Sequence, residues 1–232
     1  MSIKVIAIVP AAGIGKRFGE GTNKPFITLG DKPLLIWAVE ALQNMPDICE
    51  IIPVIKEADA ELCWRLFDEY SITKVKHIAP GGRERQDSVF QGLKSIDDRR
   101  SVVMVHDGVR PFIDYPVVQN ALEQLSDCDG VIAGVPLKDT IKEVREGIVG
   151  NTPKRELLWA VQTPQVFHYQ GLFDAYEKAM ADSFYTTDDS ALVERNGGTV
   201  KVIMGSYMNI KVTTPEDLLI AEVFRGIRKG FL

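Results

Sequence analysis

The sequence predicts an α/β protein with a doubly wound, mostly parallel sheet. Short apolar runs rich in β-branched residues recur through the first 135 residues, and segments with helical spacing lie between them. Several runs are almost continuously apolar, which is typical of strands buried on both faces of a parallel sheet. Alternation of such strands with helices indicates a sheet covered by helices on both sides.

Five apolar runs are the predicted strands of this sheet: Val5–Val9, Ile51–Ile55, Val75–Ile78, Val102–Val105 and Val131–Val135. Three helices are predicted between them, because small or apolar residues recur at i, i+3, i+4 and i+7 from Leu35, Val89 and Val118. Ligands of such sheets bind beyond the carboxyl ends of the strands. We therefore expect the functional residues in the loops that follow the strands.

A last helix is predicted near the carboxyl terminus. Thr214 is a suitable N-cap, Pro215 suits the first helical position, and Asp217 completes a capping box. The apolar residues of this helix predict a buried stripe formed by Ile220, Val223, Phe224 and Ile227.

The pattern changes between Lys138 and Trp159, where polar and apolar residues alternate weakly around a turn signal at Gly150-Asn151. This segment has too little apolar content for a core of its own. We therefore expect one domain over residues 1–232, with 138–158 projecting as a β-hairpin arm. Such an arm needs a partner surface, most simply a second copy of the chain.

Composition excludes several classes of protein. The 232 residues are 45% hydrophobic and 25% charged, and the formal net charge of −5 disfavours a nucleic-acid partner. No run of eighteen apolar residues is present, so we expect no membrane span. The three cysteines, Cys49, Cys63 and Cys128, have no metal-binding spacing and suit a reducing, cytoplasmic location.

The loop after the first predicted strand contains Gly13, Gly15 and Gly19. Their spacing is close to the G-x-G-x-x-G dinucleotide fingerprint, but the third glycine is one residue late and the acidic residue expected about 20 positions later is missing. The P-loop pattern also fails, because no Ser or Thr follows Lys16. A turn that needs glycine only for its geometry remains the simple alternative.

The same loop gathers the basic residues Lys16, Arg17 and Lys24. Packing gives no reason to concentrate cations in a loop, so they favour a cradle for a triphosphate or pyrophosphate, with Lys16 among the residues that bind the nucleotide. The competing interpretation is a set of ordinary surface cations.

Asp107 follows a buried predicted strand and precedes Arg110. A carboxylate at a strand end beside a phosphate cradle suits Mg²⁺. Capping of the next helix or pairing with Arg110 is an equally good interpretation of the spacing.

A second glycine turn, Gly81-Gly82, leads into the helix that contains Ser88. Free amides at a helix start, together with Ser88, could contact a base or ribose. Alternatively, Glu84 and Asp87 only complement the helix dipole. Lys211, before the last helix, points either into the site or into water.

Several segments, in order and spacing, resemble one known family. They are PAAGIGKRF, NKPF, GGRERQDSV, VHDGVRPF, KDTIKEV, LWAVQTPQVF, TDDSALVE and NIKVTTPEDL. The family is that of 2-C-methyl-D-erythritol 4-phosphate cytidylyltransferase, of the non-mevalonate isoprenoid pathway, and the resemblance covers nearly the whole chain. It implies a Rossmann-like sheet of the nucleotidyltransferase type. It also implies that CTP and 2-C-methyl-D-erythritol 4-phosphate give 4-diphosphocytidyl-2-C-methyl-D-erythritol and pyrophosphate, with Mg²⁺, by in-line attack on the α-phosphate.

The resemblance also implies roles for individual residues. It assigns binding of the nucleotide to Ala11, Ala12, Gly13, Gly15, Gly82, Arg83 and Ser88. It assigns catalysis to Arg17, Lys24 and Lys211. Binding of the acceptor substrate is assigned to Asp107, Arg110, Thr140, Arg155 and Thr187. Asp107 would also lie near the metal. Thr140 and Arg155 would complete the site of a partner subunit, so the resemblance implies a homodimer joined through the arm.

The chain departs from the family pattern at Met208, where many members have an acidic residue before Asn-Ile-Lys. Cytidylyltransferases for ribitol 5-phosphate are the closest alternative, although they usually begin Leu-Ala-Gly-Gly where this chain has Pro-Ala-Ala-Gly. A non-catalytic nucleotide-binding module is a further alternative. The presence of Lys24, Asp107 and Lys211 argues against a non-catalytic module.

Overall fold

The computed structural model describes residues 4–13, 24–228 and 230. In this part of the chain the strands are β1 (Val5–Pro10), β2 (Thr28–Leu29), β3 (Lys32–Pro33), β4 (Ile48–Ile55), β5 (Ala79–Pro80), β6 (Val102–Val105), β7 (Gly130–Pro136), β8 (Glu143–Arg145), β9 (Ile148–Asn151), β10 (Trp159–His168) and β11 (Val200–Met204). The α-helices are α1 (Leu34–Gln43), α2 (Ala60–Glu69), α3 (Arg85–Lys94), α4 (Tyr115–Gln124), α5 (Tyr169–Ala181), α6 (Ser190–Arg195) and α7 (Pro215–Arg228).

The central sheet has seven strands in the order β11-β7-β10-β6-β1-β4-β5. Only β10 runs antiparallel to its neighbours, β6 and β7, and the remaining pairs within this sheet are parallel. The predicted doubly wound, mostly parallel α/β sheet is therefore confirmed. Because β1, β4, β5, β6, β7 and β11 point the same way, the loops after them meet at one edge.

Two hydrophobic clusters cover the two faces of this sheet. Alternate residues of β1 enter different clusters: Val5 and Ala7 pack with α1, α2 and α4, whereas Ile6 and Ile8 pack with α3, α5 and α6. This alternation explains the continuous apolar runs, because both faces of these strands are buried. Within the described ranges, no helix combines the length and the apolar character needed to cross a membrane.

The predicted strand at Val75–Ile78 is wrong. Val75 forms only an isolated bridge with Ile51, and the edge strand of the sheet is the two-residue β5 that follows. Exposed Lys76 interrupts the apolar run at this edge. Short, charged edges limit pairing with other strands, and the pattern of apolar residues alone does not reveal them.

The capping box of α7 is present, but its predicted buried stripe is wrong. The Asp217 N–H donates to Thr214 Oγ1 at 3.3 Å, and Asp217 Oδ2 accepts from the Thr214 N–H at 2.9 Å. Ala221 is the fully buried residue of the helix, with Leu218 and Phe224 packed beside it. Of the four predicted stripe residues, Ile220, Val223 and Ile227 are exposed. The helix is thus rotated from the predicted orientation.

The segment after β7 forms a separate two-stranded hairpin, β8–β9. Its turn is Glu146-Gly147 and not Gly150-Asn151, because Arg145 pairs with Ile148. Both turn residues have positive φ, 50° and 81°. Two-residue hairpins favour this conformation, which glycine adopts easily. The expectation of a β-hairpin here was correct, although its turn was misplaced.

Candidate active site

A cleft of about 530 Å³ lies where the carboxyl ends of β1, β4, β5 and β6 meet. Loops after each of these strands contribute to it, as expected for a doubly wound sheet. Its lining residues are Pro10, Ala11, Ala12, Gly13, Lys24, Pro25, Lys56, Gly82, Arg83, Glu84, Arg85, Ser88, Asp107, Val109 and Lys211. Five of these side chains are basic and two are acidic.

Small residues bring two backbone segments together on one wall of the cleft. The Ala11 N–H donates to Val54 O at 2.8 Å, which continues the pairing of β1 with β4. Gly81 lies so close to Ala12 that a side chain at Gly81 would collide with the Ala12 methyl group. This wall is therefore formed largely by backbone, and a ligand can approach it closely.

The turn that leads into α3 holds its own shape. The Gly82 N–H donates to Ser88 Oγ at 3.1 Å, and the Ser88 hydroxyl donates to Glu84 O at 3.1 Å. Glu84 and Asp87 form a reciprocal capping box, with the Glu84 N–H 3.0 Å from Asp87 Oδ2. Both acidic residues thus have a structural role as the caps of α3. Ser88 closes the turn and also lines the cleft.

Asp107 is the acidic centre of the cleft and contacts three cations. Its Oδ1 lies 3.1 Å from Arg85 Nε, and its Oδ2 lies 3.3 Å from Arg110 Nε and 3.0 Å from Lys211 Nζ. Burial alone would raise the pKa of Asp107, but Arg85, Lys211 and Arg110 outweigh it and hold that pKa well below its usual range. Asp107 is therefore an ionised carboxylate that fixes the cations around it.

These side chains fit an anion better than a protein-bound metal. Both oxygens of Asp107 already contact cations. The described residues contain no cluster of three His, Cys, Asp or Glu side chains suited to a metal ion. Hard cations such as Mg²⁺ need several oxygen ligands. Asp107 alone does not supply them, and Met208 offers no second carboxylate.

Arg85 connects Asp107 to a second buried carboxylate, Asp189. Its Nη1 and Nη2 donate to the two carboxylate oxygens of Asp189 at 2.9 and 2.8 Å. Burial alone would lower the pKa of Arg85, but Asp189 and Asp107 raise it well above its usual value. The Tyr176 hydroxyl also donates to Asp189. Arg85 remains fully charged between the two carboxylates.

A buried polar layer holds the Asp107 turn from below. The Asp107 N–H donates to Thr163 Oγ1 at 3.1 Å, and the Thr163 hydroxyl donates to His106 Nδ1 at 3.1 Å. The Arg110 carbonyl oxygen can only accept a hydrogen bond, so the ring proton of His106 is assigned to Nε2. This Nε2–H donates to Arg110 O at 3.0 Å. Arg110 Nη1 donates to Asn209 O at 2.8 Å. These bonds join the end of β6 to the segment that contains Lys211.

The structure places the residues singled out in the sequence in three regions. Nine line the cleft: Ala11, Ala12, Gly13, Lys24, Gly82, Arg83, Ser88, Asp107 and Lys211. Arg110 is buried directly beside Asp107, and Thr187 lies exposed shortly before α6. Thr140 and Arg155 lie exposed at the arm, where Arg155 Nη1 donates to Lys138 O at 2.7 Å. Gly15, Lys16 and Arg17 lie outside the described residues.

Sequence reasoning missed two cations in the cleft, Lys56 and Arg85. Lys56 directly follows β4, so the rule that ligands bind after parallel strands contained the necessary signal. Arg85 lies within the GGRERQDS turn, in which the family resemblance points to Arg83 and Ser88 instead. Its partner Asp189 is 104 residues away, and this pairing leaves no local pattern.

The fold and the cleft together define an α/β protein of the class that binds phosphorylated ligands at the carboxyl edge of a parallel sheet. A family model described as 2-C-methyl-D-erythritol 4-phosphate cytidylyltransferase matches residues 5–226. The chain belongs to this family.

Individual relatives agree with this assignment. A Geotalea uraniireducens protein named 2-C-methyl-D-erythritol 4-phosphate cytidylyltransferase is 46% identical over 225 residues, covering 96% of this chain and 97% of that protein. A Clostridioides difficile protein of the same name is 43% identical, with coverages of 96% and 94%. The crystal structure of 4-diphosphocytidyl-2C-methyl-D-erythritol synthase from Anaerococcus prevotii is 32% identical, with a TM-score of 0.86 and coverages of 97% and 96%.

Proposed function

We propose that this protein joins CTP and 2-C-methyl-D-erythritol 4-phosphate to give 4-diphosphocytidyl-2-C-methyl-D-erythritol and pyrophosphate. One observation carries the proposal: in a chain of this family, the described residues alone place five basic side chains around a cleft beyond the parallel strands. Such a cleft can hold two phosphorylated substrates together. The relatives' names supply the identity of the nucleotide acceptor.

The proposed reaction is a displacement at the α-phosphorus of CTP. A phosphate monoester loses its second proton with a pKa of about 6, so the attacking oxygen is already ionised at neutral pH and needs no general base. A bond forms between this oxygen and the α-phosphorus. The bond from the α-phosphorus to the oxygen that bridges to the β-phosphate breaks, and pyrophosphate leaves with the electron pair.

Catalysis then consists mainly of positioning and charge stabilisation. Two polyanions repel each other, and preorganised cations reduce that repulsion most where charge develops in the transition state. Lys24 begins a short 3-10 helix before β2, Lys211 lies between β11 and α7, and both line the cleft. We assign to them the α-phosphate and the incoming phosphate. Arg17 is assigned the same role from the family resemblance.

A divalent cation is part of the proposal, although the protein side chains fit it poorly. The ion would neutralise charge on the triphosphate. Because Asp107 is committed to Arg85, Arg110 and Lys211, most of the ligands would have to come from the triphosphate oxygens.

We also propose that the enzyme is a homodimer whose arms contact the partner subunit. Four apolar arm residues are more than half exposed, and they are Val144, Ile148, Val149 and Leu157. Exposed apolar residues concentrated in one small element favour a protein contact. In this arrangement Thr140 and Arg155 would serve the acceptor pocket of the neighbouring subunit. A cytoplasmic location is proposed from the three free cysteines.

Pyrophosphate release tests the proposed function. The purified protein is incubated with CTP, Mg²⁺ and one acceptor at a time: 2-C-methyl-D-erythritol 4-phosphate, ribitol 5-phosphate, erythritol 4-phosphate or none. Release with the first acceptor alone is expected. Release mainly with ribitol 5-phosphate would move the protein to another polyol phosphate. CTP binding without release would indicate a nucleotide-binding module.

A further inference from the structure

We propose that Arg85 is a positioning residue for the cytidylyl transfer, an inference that rests on the proposed function. Its guanidinium joins the carboxylates of Asp107 and Asp189, which belong to different parts of the chain. Arg85 thereby fixes the distance between the nucleotide side of the cleft and the segment that contains Thr187.

The geometry of the guanidinium suits a bridge. Nε faces Asp107, whereas Nη1 and Nη2 face Asp189 in a bidentate pair. Three of the five N–H donors of the arginine are thus engaged with protein carboxylates. Bidentate arginine–carboxylate pairs restrict orientation as well as distance. A lysine has one compact ammonium group and cannot reproduce this two-sided arrangement.

The carboxylate at the far end of the bridge is firmly held. The Asp189 side chain is 1% exposed, compared with 24% for Arg85. Its oxygens accept hydrogen bonds from Arg85 and from the hydroxyl of buried Tyr176. Removing one member of a buried ion pair is costly, because the other member is left as an uncompensated charge.

The bridge joins three elements of the fold, two of which contribute residues to the cleft. Arg85 is the first residue of α3, Asp107 follows β6, and Asp189 directly precedes α6. Thr187, two residues before Asp189, is the residue assigned to the acceptor. Loss of the bridge would allow this segment to shift relative to Asp107 and Lys211. A misplacement of about 1 Å at reacting groups can cost on the order of 100-fold in rate.

Two conservative variants test this role, Arg85→Lys and Asp189→Asn. A matched control pair lies on the outer side of the same region: Arg195 Nη1 pairs with Asp182 Oδ2 at 2.8 Å, with both side chains more than a third exposed. The controls are therefore Arg195→Lys and Asp182→Asn. Each protein is measured for CTP affinity by calorimetry, for kcat and acceptor KM, and for Tm.

The expected result separates positioning from nucleotide binding. Arg85→Lys and Asp189→Asn each lower kcat on the order of 100-fold, while the Kd for CTP changes less than about threefold. The double variant loses about as much as either single one, because both changes break the same bridge. The control variants keep the wild-type kcat, acceptor KM and CTP Kd.

Other outcomes would overturn the inference. A large loss of CTP affinity in Arg85→Lys would make Arg85 a nucleotide ligand. A lowered Tm with wild-type kcat, measured well below the Tm of the variant, would leave only a structural role. Additive losses in the double variant would mean that the two residues act separately. If the wild-type protein released no pyrophosphate with any acceptor, the proposed function itself would fall, and this inference with it.

Discussion

The Thr163 Oγ1 lies 3.1 Å from Nδ1 of the fully buried His106. In the neutral imidazole, Nε2 carries the proton that is donated to Arg110 O, so Nδ1 accepts the hydroxyl proton of Thr163. Burial lowers the pKa of His106 to about 4, although the hydrogen bond to Arg110 O opposes this shift. The hydrogen bonds that link Thr163, His106 and the Arg110 backbone therefore involve an uncharged histidine at neutral pH.

We expect His106 to make the protein less stable as the pH falls. An unfolded histidine binds its proton near pH 6.5, whereas His106 in the folded protein does so near pH 4. Between these values the unfolded state binds more protons, so stability increases with pH. The contribution of this group is fully present above about pH 6.5 and is progressively lost as pH falls to about 4. From about pH 7.5 to about pH 5 the loss is about 2 kcal/mol.

Urea unfolding of the wild type and of His106→Gln at these two pH values measures this effect. The variant should lose about 2 kcal/mol less than the wild type on acidification. His168→Gln, at a histidine with an exposed side chain, controls for removal of an imidazole. The same pH dependence in the wild type and in His106→Gln would contradict the expectation.

We expect Asp107→Asn to destabilise the fold and to create an anion site. The change leaves Arg85, Arg110 and Lys211 without their shared carboxylate. Breaking a buried charge pair from one side typically costs about 3–5 kcal/mol. Thermal unfolding with increasing sulfate provides the measurement. Sulfate should raise the Tm of the variant more than that of the wild type, because an anion replaces the lost charge. Equal shifts would show that the three cations do not need a counter-charge.

We expect Lys24→Ala to lower kcat far more than it weakens CTP binding. Loss of one preorganised contact to the transition state is worth roughly 3–4 kcal/mol, or on the order of 100- to 1000-fold in rate. Single-turnover kinetics and CTP titration of the same samples separate the two effects. Lys178→Ala, at an exposed lysine of α5, is the control. Small, equal losses in rate and affinity would mean that Lys24 only anchors the ground-state nucleotide.

We expect Arg155→Ala and Lys24→Ala subunits to restore activity when mixed, provided that the arms exchange between sites. Each variant alone should be nearly inactive. In a mixed dimer one site carries both changes and the other carries none. With random pairing, half the dimers are mixed, and activity should recover to roughly a quarter of the wild type. The measurement is pyrophosphate release after the mixed subunits re-equilibrate.

The contact between Arg155 Nη1 and Lys138 O suggests another role for Arg155, which would give a different result on mixing. It would let Arg155 support the base of its own arm instead of a neighbouring site. In that case mixing gives no recovery, while Arg155→Lys alone retains part of the activity.

The sequence predicted the buried centre of the fold better than its margins. Val102–Val105 coincides with β6, because this strand is covered on both faces and every residue must be apolar. The edge of the sheet and the orientation of α7 depend instead on what lies beside them. Ile220 and Val223 fit a helical stripe as well as Leu218 and Ala221 do, and only tertiary packing distinguishes the two sets.

The candidate site, too, could be predicted from the sequence only in part. Lys24, Asp107 and Lys211 could be located because each follows a recognisable strand or precedes a recognisable helix, and the structure places all three around one cleft. The bridge from Arg85 to Asp189 could not be located from the sequence, since it joins residues 104 positions apart through side-chain geometry alone. Similarly, the hydrogen-bond roles of His106 and Thr163 require coordinates.

The arm leaves and re-enters the sheet at adjacent points. Pro136, the last residue of β7, pairs with Trp159, the first residue of β10, and the Leu137 N–H donates to Leu158 O at 3.1 Å. The excursion is thus closed at its base, and its length has no effect on the register of the sheet. The tip of the arm, the β8–β9 hairpin, can therefore be lengthened, shortened or recharged without disturbing the sheet, while Thr140 and Arg155 at its base stay in place. If the arm joins two subunits as proposed, different hairpin tips on two related enzymes in one cell would keep their subunits from mixing while leaving the cleft unchanged.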